Sequence, residues 1–137
     1  MNDRIDYAAL LLRIGLGTMF LAHGLLKVLV FTLPGTAAFF EQVGFPGWTA
    51  YIVIFAEIGG GVLLLAGVGV RLVSLALVSV LLGAVVVHFG SGWLFSNANG
   101  GWEYPAFLTL ATVVQALLGP GKFAIRFAPR AQQPVTA

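Results

Sequence analysis

No cysteine occurs in this chain. No disulfide, thiolate-bound metal, iron–sulfur cluster or thiol redox cycle can therefore reside in it. Cysteine usage also says nothing of its compartment. Charge is nearly as scarce. Only 9% of the 137 residues are Asp, Glu, Lys or Arg, where a soluble domain carries about 25%. The hydrophobic fraction is 59% and the mean hydropathy +0.98. A water-facing surface cannot be built from so few charges, so the bilayer is the expected solvent. A formal charge of +2 and a pI near 9.4 come without any basic run. That distribution excludes a nucleic-acid footprint.

What is present is apolar and divided into four segments, read as helices over about 7–30, 48–70, 72–89 and 102–118, with a basic tail over 119–137. A helix rising about 1.5 Å per residue needs about 20 residues to cross a 30 Å core. The fourth segment is the shortest and is expected to borrow length from Gly100-Gly101 or to stand nearly upright. Pro34-Gly35 is expected to end the first span. Gly67, Gly69 and Arg71 leave almost no loop between the second and third, which implies a tight antiparallel hairpin. Between the first two spans, Ala37, Phe39, Phe40 and Val43 with Glu41 and Gln42 suggest a short amphipathic interfacial segment; an ordinary apolar loop is the other reading. The leader MNDRID is not net basic and the apolar run behind it is too long for a signal peptide. The expectation is one all-α domain over residues 1–137, an integral membrane four-helix bundle.

Lys and Arg set its orientation. Arg4 precedes the first span, Arg71 lies between the second and third, and Lys122, Arg126 and Arg130 follow the fourth. The remaining two loops carry none, so both termini are expected in the cytoplasm. Trp48, Tyr51, Trp93, Trp102 and Tyr104 then gather at the opposite interface. A weak repeat accompanies this: Gly47-Trp48 and Gly101-Trp102 open the second and fourth segments, which suggests a duplicated helix hairpin.

Six ionisable residues stand inside or at the edge of the apolar segments: Arg13, His23, Lys27, Glu57, His88 and Glu103. A charge near the bilayer centre costs about 2.5–3.5 kcal/mol on insertion scales, so such residues are usually paired. Counting rise per residue puts Arg13 roughly 8 Å from one face, His23 roughly 22 Å and Lys27 roughly 28 Å. Glu57 lies roughly 12 Å below the other face, near the depth of His23. His88 and Glu103 fall close to that same face. Glu57 is too deep and too short to reach water and must be paired or protonated. His23 is its expected partner by depth, so Glu57 and His23 are the candidate catalytic, proton-handling pair. Arg13, Lys27, His88 and Glu103 are the candidate ligand-binding groups. Snorkelling of Arg13 and Lys27, a carbonyl-bonded His88 and a dipole-favoured Glu103 are the plainer readings. Gly17, Gly24 and Gly59-Gly60-Gly61 offer close helix approach. A His₂–carboxylate metal set would need ligands that the depths hold apart, so no metal is assigned.

The stretches LRIGLGTMFLAHGLLKV, FFEQVGFPGW, AEIGGGVLLLAGVGVRL, VVVHFGSGW, GGWEYPAFLTLA and LLGPGKF, in this order from about Leu12 to Phe123, resemble the DoxX family of small bacterial membrane proteins. The resemblance implies a multi-pass protein of the bacterial inner membrane. It also implies a link to redox systems, because some relatives are small subunits of a thiosulfate–quinone oxidoreductase and others associate with oxidative-stress proteins. On it, Arg13, His23, Lys27, Glu57, His88 and Glu103 fall at family positions.

Three functions stay open on this reading. In a quinone-linked redox accessory, His23, Lys27 and Arg13 would donate to the quinone carbonyls while Glu57, His88 and Glu103 carried protons. The cofactor would be a quinone with none bound covalently. The partners would be the lipid bilayer, redox proteins and further copies of the chain, with no nucleic acid. In a structural or chaperone-like protein, the polar set would only hold helix register. In a small proton or solute transporter, it would form a relay.

Overall fold

Asn2 starts the first helix by accepting from the Arg4 amide, and Asp3 and Asp6 favour its positive end. Helix α1 thus spans Asp3–Leu29, beginning earlier than hydropathy alone predicts. The computed structural model describes residues 2–127, leaving Arg130 of the basic tail outside the described residues. Four more helices follow: α2 Leu33–Gln42, α3 Thr49–Ala66, α4 Val70–Phe89 and α5 Glu103–Leu118. Among the described residues there is no strand.

Two boundaries correct the sequence expectation. Pro34 does not end the first span; it sits in the first turn of α2, where a missing N–H is harmless. Thr32 caps that turn by accepting from the Gly35 amide. The segment expected to be a short interfacial turn is therefore a helix of 10 residues. Helix α5 does not extend into Gly100-Gly101. Trp102 and Glu103 donate their amides to Gly92 and Trp93, which holds that stretch in a loop. The hairpin between α3 and α4 is as tight as expected, because Gly67 and Gly69 both take positive φ, 78° and 57°.

Helix α1 lies along α3, and α4 lies along α5; α3 touches α4, and α1 touches α5. Helix α2 crosses over α3 and the end of α1. Leu16, Phe20, Leu64, Val70, Leu77 and Leu81 form the buried core. The outer faces are apolar as well: Leu11, Phe55, Leu72 and Phe107 are each more than 65% exposed. A water-soluble protein rarely exposes so much contiguous apolar surface. Helices α1, α3 and α4 are long and apolar enough to cross a membrane. Helix α5, with 16 residues, spans about 24 Å.

Small residues set the α1–α3 distance. A Cβ on Gly61 would stand 2.7 Å from the Leu21 amide nitrogen and 2.9 Å from the Gly17 carbonyl. A Cβ on Gly24 would stand 2.6 Å from the Ile58 side chain. Gly60 instead admits Leu77 of α4, and Gly59 faces open space. We expect Gly61→Ala to lower stability by about 1–3 kcal/mol, since backbone must move. Gly59→Ala should be neutral or stabilising by up to about 1 kcal/mol. Thermal melts of the two variants in detergent check this, and equal losses would refute it.

Candidate functional site

Gly24 follows Gly17 by seven positions, so both glycines meet α3, Gly17 at Gly61 and Leu65 and Gly24 at Glu57 and Ile58. One turn beyond Gly24 stands Lys27, and one turn before Gly61 stands Glu57. The close approach brings these two side chains together. Lys27 Nζ donates to both carboxylate oxygens of Glu57, at 2.7 Å and 3.0 Å. Glu57 is buried, and the Lys27 side chain keeps only 20% of its exposure. Thr36 of α2 shares its hydroxyl hydrogen between the Thr32 carbonyl at 2.9 Å and the Lys27 carbonyl at 3.0 Å, which ties α2 to this turn.

The pair borders a cavity of about 500 Å³. Phe20, Val53, Leu81, Val87 and Leu108 supply apolar walls from four helices. Phe39, Phe40, Val43 and Phe45 close one side from α2 and the loop after it. The remaining polar lining is sparse: His23, His88, Tyr104, Thr49 and Ser79. This is the composition of a small-molecule site, mostly apolar with a few placed polar groups.

Each histidine is anchored by a backbone carbonyl. His23 Nδ1 lies 2.8 Å from the Met19 carbonyl one turn back. Its ring stacks on Tyr104 with centroids 6.0 Å apart. His88 Nδ1 lies 2.9 Å from the Asn99 carbonyl. Asn99 and Gly100 hold positive φ there, which turns the loop back over the His88 ring.

The direct partner of Glu57 is thus Lys27, not His23. Depth along the axis matched His23 to Glu57, but helical side chains lean toward the N-terminus. That lean brings the long Lys27 side chain down to the carboxylate. Four of the six sequence-selected residues, His23, Lys27, Glu57 and His88, share the cavity. Arg13 and Glu103 lie elsewhere. Arg13 is 1% exposed and donates to the Leu64, Leu65 and Lys122 carbonyls at 3.0–3.3 Å. Its guanidinium finds its acceptors at the carbonyl end of α3 and in the chain after α5. Ile125 and Lys122 dock there too, donating their amides to Ala66 and Asp6. Beside them, the Asp3 carboxylate holds the Lys122 ammonium above its ordinary range by accepting its hydrogen bond. Glu103 accepts from the Phe95 amide at 3.1 Å and borders a separate cleft with Trp93 and Trp102. His23, Glu57, His88 and Glu103 do not meet. Among the described residues no group of three His, Cys, Asp or Glu side chains could hold a metal ion.

Tyr104, Thr49 and Ser79 were not selected from sequence. Tyr104 reads as one of several interfacial aromatics, and the hydroxyls carry no charge to mark them. The α2 phenylalanines had a signal, an apolar segment with a polar side, but nothing to say which opening it covered.

The sequence profile of the DoxX family matches residues 8–90. A curated protein of Bacillus subtilis (strain 168), named "Putative oxidoreductase CatD", is 33% identical over 119 residues. That match covers 87% of this chain and 84% of the relative. No solved structure matches.

Removing one member of a buried ion pair strands the other. Glu57→Leu and Lys27→Leu should each destabilise the protein by about 3 kcal/mol. The double variant should recover most of that loss. A double-mutant cycle on thermal stability in detergent checks this; additive losses would show that the pair is not coupled.

Proposed function

This chain belongs to the DoxX family of membrane proteins, and we propose that it is a quinone-interacting accessory subunit of a membrane redox system. The observation that carries the reading is the cavity: apolar walls from four helices, with an ion pair, two imidazoles and a phenol on its polar side. A quinone headgroup is a flat ring with two polar atoms, and a site of this composition suits it. The chain has no flavin, nicotinamide or haem motif and no cysteine. Electrons would therefore pass between the quinone and a partner protein. The oxidoreductase name of the Bacillus relative is consistent with a redox setting.

In this reading α1, α3, α4 and α5 form a four-helix bundle that crosses the bacterial inner membrane several times. Both termini are cytoplasmic. Support comes from charge: Arg71 lies beside Gly119, close to where Lys122 bonds Asp3, so basic residues share one end. Trp48, Trp93 and Trp102 stand on the loops of the other. His23, Lys27, Glu57, His88 and Tyr104 face the quinone. Glu57 and His23, joined through Lys27 and the shared cavity rather than directly, handle its protons.

Gentle extraction from membranes followed by lipid analysis tests the reading. Quinone should co-purify in near-stoichiometric amount with the wild-type protein. Glu57→Gln should lose most of it and at least about tenfold of any quinone-dependent electron transfer, as expected when a buried charged partner is removed. A quinone-free preparation whose Glu57→Gln variant supports unchanged electron transfer would overturn it.

A further inference from the structure

We infer that the cavity selects the reduced, dihydroxy form of its quinone over the oxidised form; the inference rests on the quinone reading above. The polar lining commits most of its hydrogens to partners within the protein. A backbone carbonyl can only accept, so the ring nitrogen facing it must carry the hydrogen. His23 Nδ1 faces the Met19 carbonyl at 2.8 Å, and His88 Nδ1 faces the Asn99 carbonyl at 2.9 Å. In the neutral imidazole each Nε2 is then a bare lone pair. The same holds for the hydroxyls. Thr49 donates to the Pro46 carbonyl and Ser79 to the Ala76 carbonyl, each at 2.6 Å. Both oxygens keep only lone pairs for a ligand. Lys27 has two of its three hydrogens on Glu57.

The polar lining is therefore rich in acceptors and short of donors. One hydrogen of Lys27 stays free, and the phenolic hydrogen of Tyr104 is held only by the weak Met19 sulfur acceptor, at 4.0 Å. An oxidised quinone offers two carbonyl acceptors and no donor, and so meets lone pairs with lone pairs. A hydroquinone offers two O–H donors, and its oxygens can still accept. In an apolar cavity an unpaired polar group is expensive, so sites built to pair a ligand hydrogen discriminate strongly against the analogue lacking it. The expectation that His23 and Arg13 donate to quinone carbonyls fails on this geometry. The His23 hydrogen goes to Met19, and Arg13 is not on the cavity.

The test uses the full-length protein in lipid nanodiscs under anaerobic conditions. Durohydroquinone and duroquinone are titrated separately by calorimetry. Durohydroquinone should bind at least about tenfold more tightly, which raises the bound couple's potential by about 30 mV for two electrons. His23→Gln and His88→Gln present an amide that can turn either its oxygen or its NH₂ to the ligand. Each should narrow the preference several-fold while leaving the melting temperature close to wild type. Equal affinities, or tighter duroquinone, would overturn the inference and leave the quinone reading standing. An unchanged ratio in both variants would also overturn it, since the imidazoles would not be its cause. Binding of neither probe would overturn both readings.

Discussion

The ion pair of Lys27 with Glu57 exists only because α1 and α3 touch backbone to backbone. Gly61 sits against the Leu21 amide and the Gly17 carbonyl, and Gly24 sits against Ile58 and Glu57. Side chains at those places would hold the helices apart. Lys27 and Glu57 would then each be left facing hydrocarbon, where either charge alone is costly. Together they are neutral, mutually bonded and fixed in position. The cavity follows from that constraint. Helices α1 and α3 are clamped on one side, while α4 and α5 pair on the other, and the space between them is closed by α2. The Thr36 bond to the carbonyl of Lys27 makes the cover part of the same construction.

Much of this was legible in the sequence. Four apolar segments, the glycine contacts of Gly17, Gly24, Gly60 and Gly61, and the importance of the six ionisable residues all follow from composition and spacing. What depth arithmetic lacks is side-chain direction and reach. Rise per residue put His23 level with Glu57, yet the side chain that arrives is Lys27, one turn away and leaning back along α1. Gly59 looked like its neighbours in the triplet, but at 100° per residue it points away from both partners. Pro34 was legible as a breaker; whether a proline ends one helix or begins the next depends on Thr32, whose φ of 65° no local pattern predicts. Arg13 could not be placed from sequence, because one of its acceptors lies on Lys122, more than a hundred residues later.

The six residues that looked like one set are three devices. Arg13 closes the end of α3, where carbonyls left over by the helix carry partial negative charge. It holds the chain after α5 against them, and a side chain on Gly67 would collide with its guanidinium. Glu103 fastens the loop before α5 through the Phe95 amide. Of the six, only His23, Lys27, Glu57 and His88 line the cavity. A residue's being charged in an apolar segment says that it needs a partner; it does not say that the partner is a substrate.

That division bears on how an apolar cavity can carry polar groups at tolerable cost. Each hydrogen-bearing polar group on its wall already donates within the protein, Tyr104 only weakly, to the Met19 sulfur. The carbonyls of Met19, Pro46, Ala76 and Asn99 take hydrogens from His23, Thr49, Ser79 and His88. Lone pairs left without a donor are tolerated better than buried N–H groups left without an acceptor. A cavity whose hydrogens are engaged by backbone carbonyls, and for Lys27 by Glu57, carries few unmet donors. It is also biased in what it will accept, because backbone carbonyls stay in place whatever the ligand does. On the proposed reading, the preference for a donor-bearing headgroup is a consequence of the same backbone bonds that satisfy the polar groups of the wall.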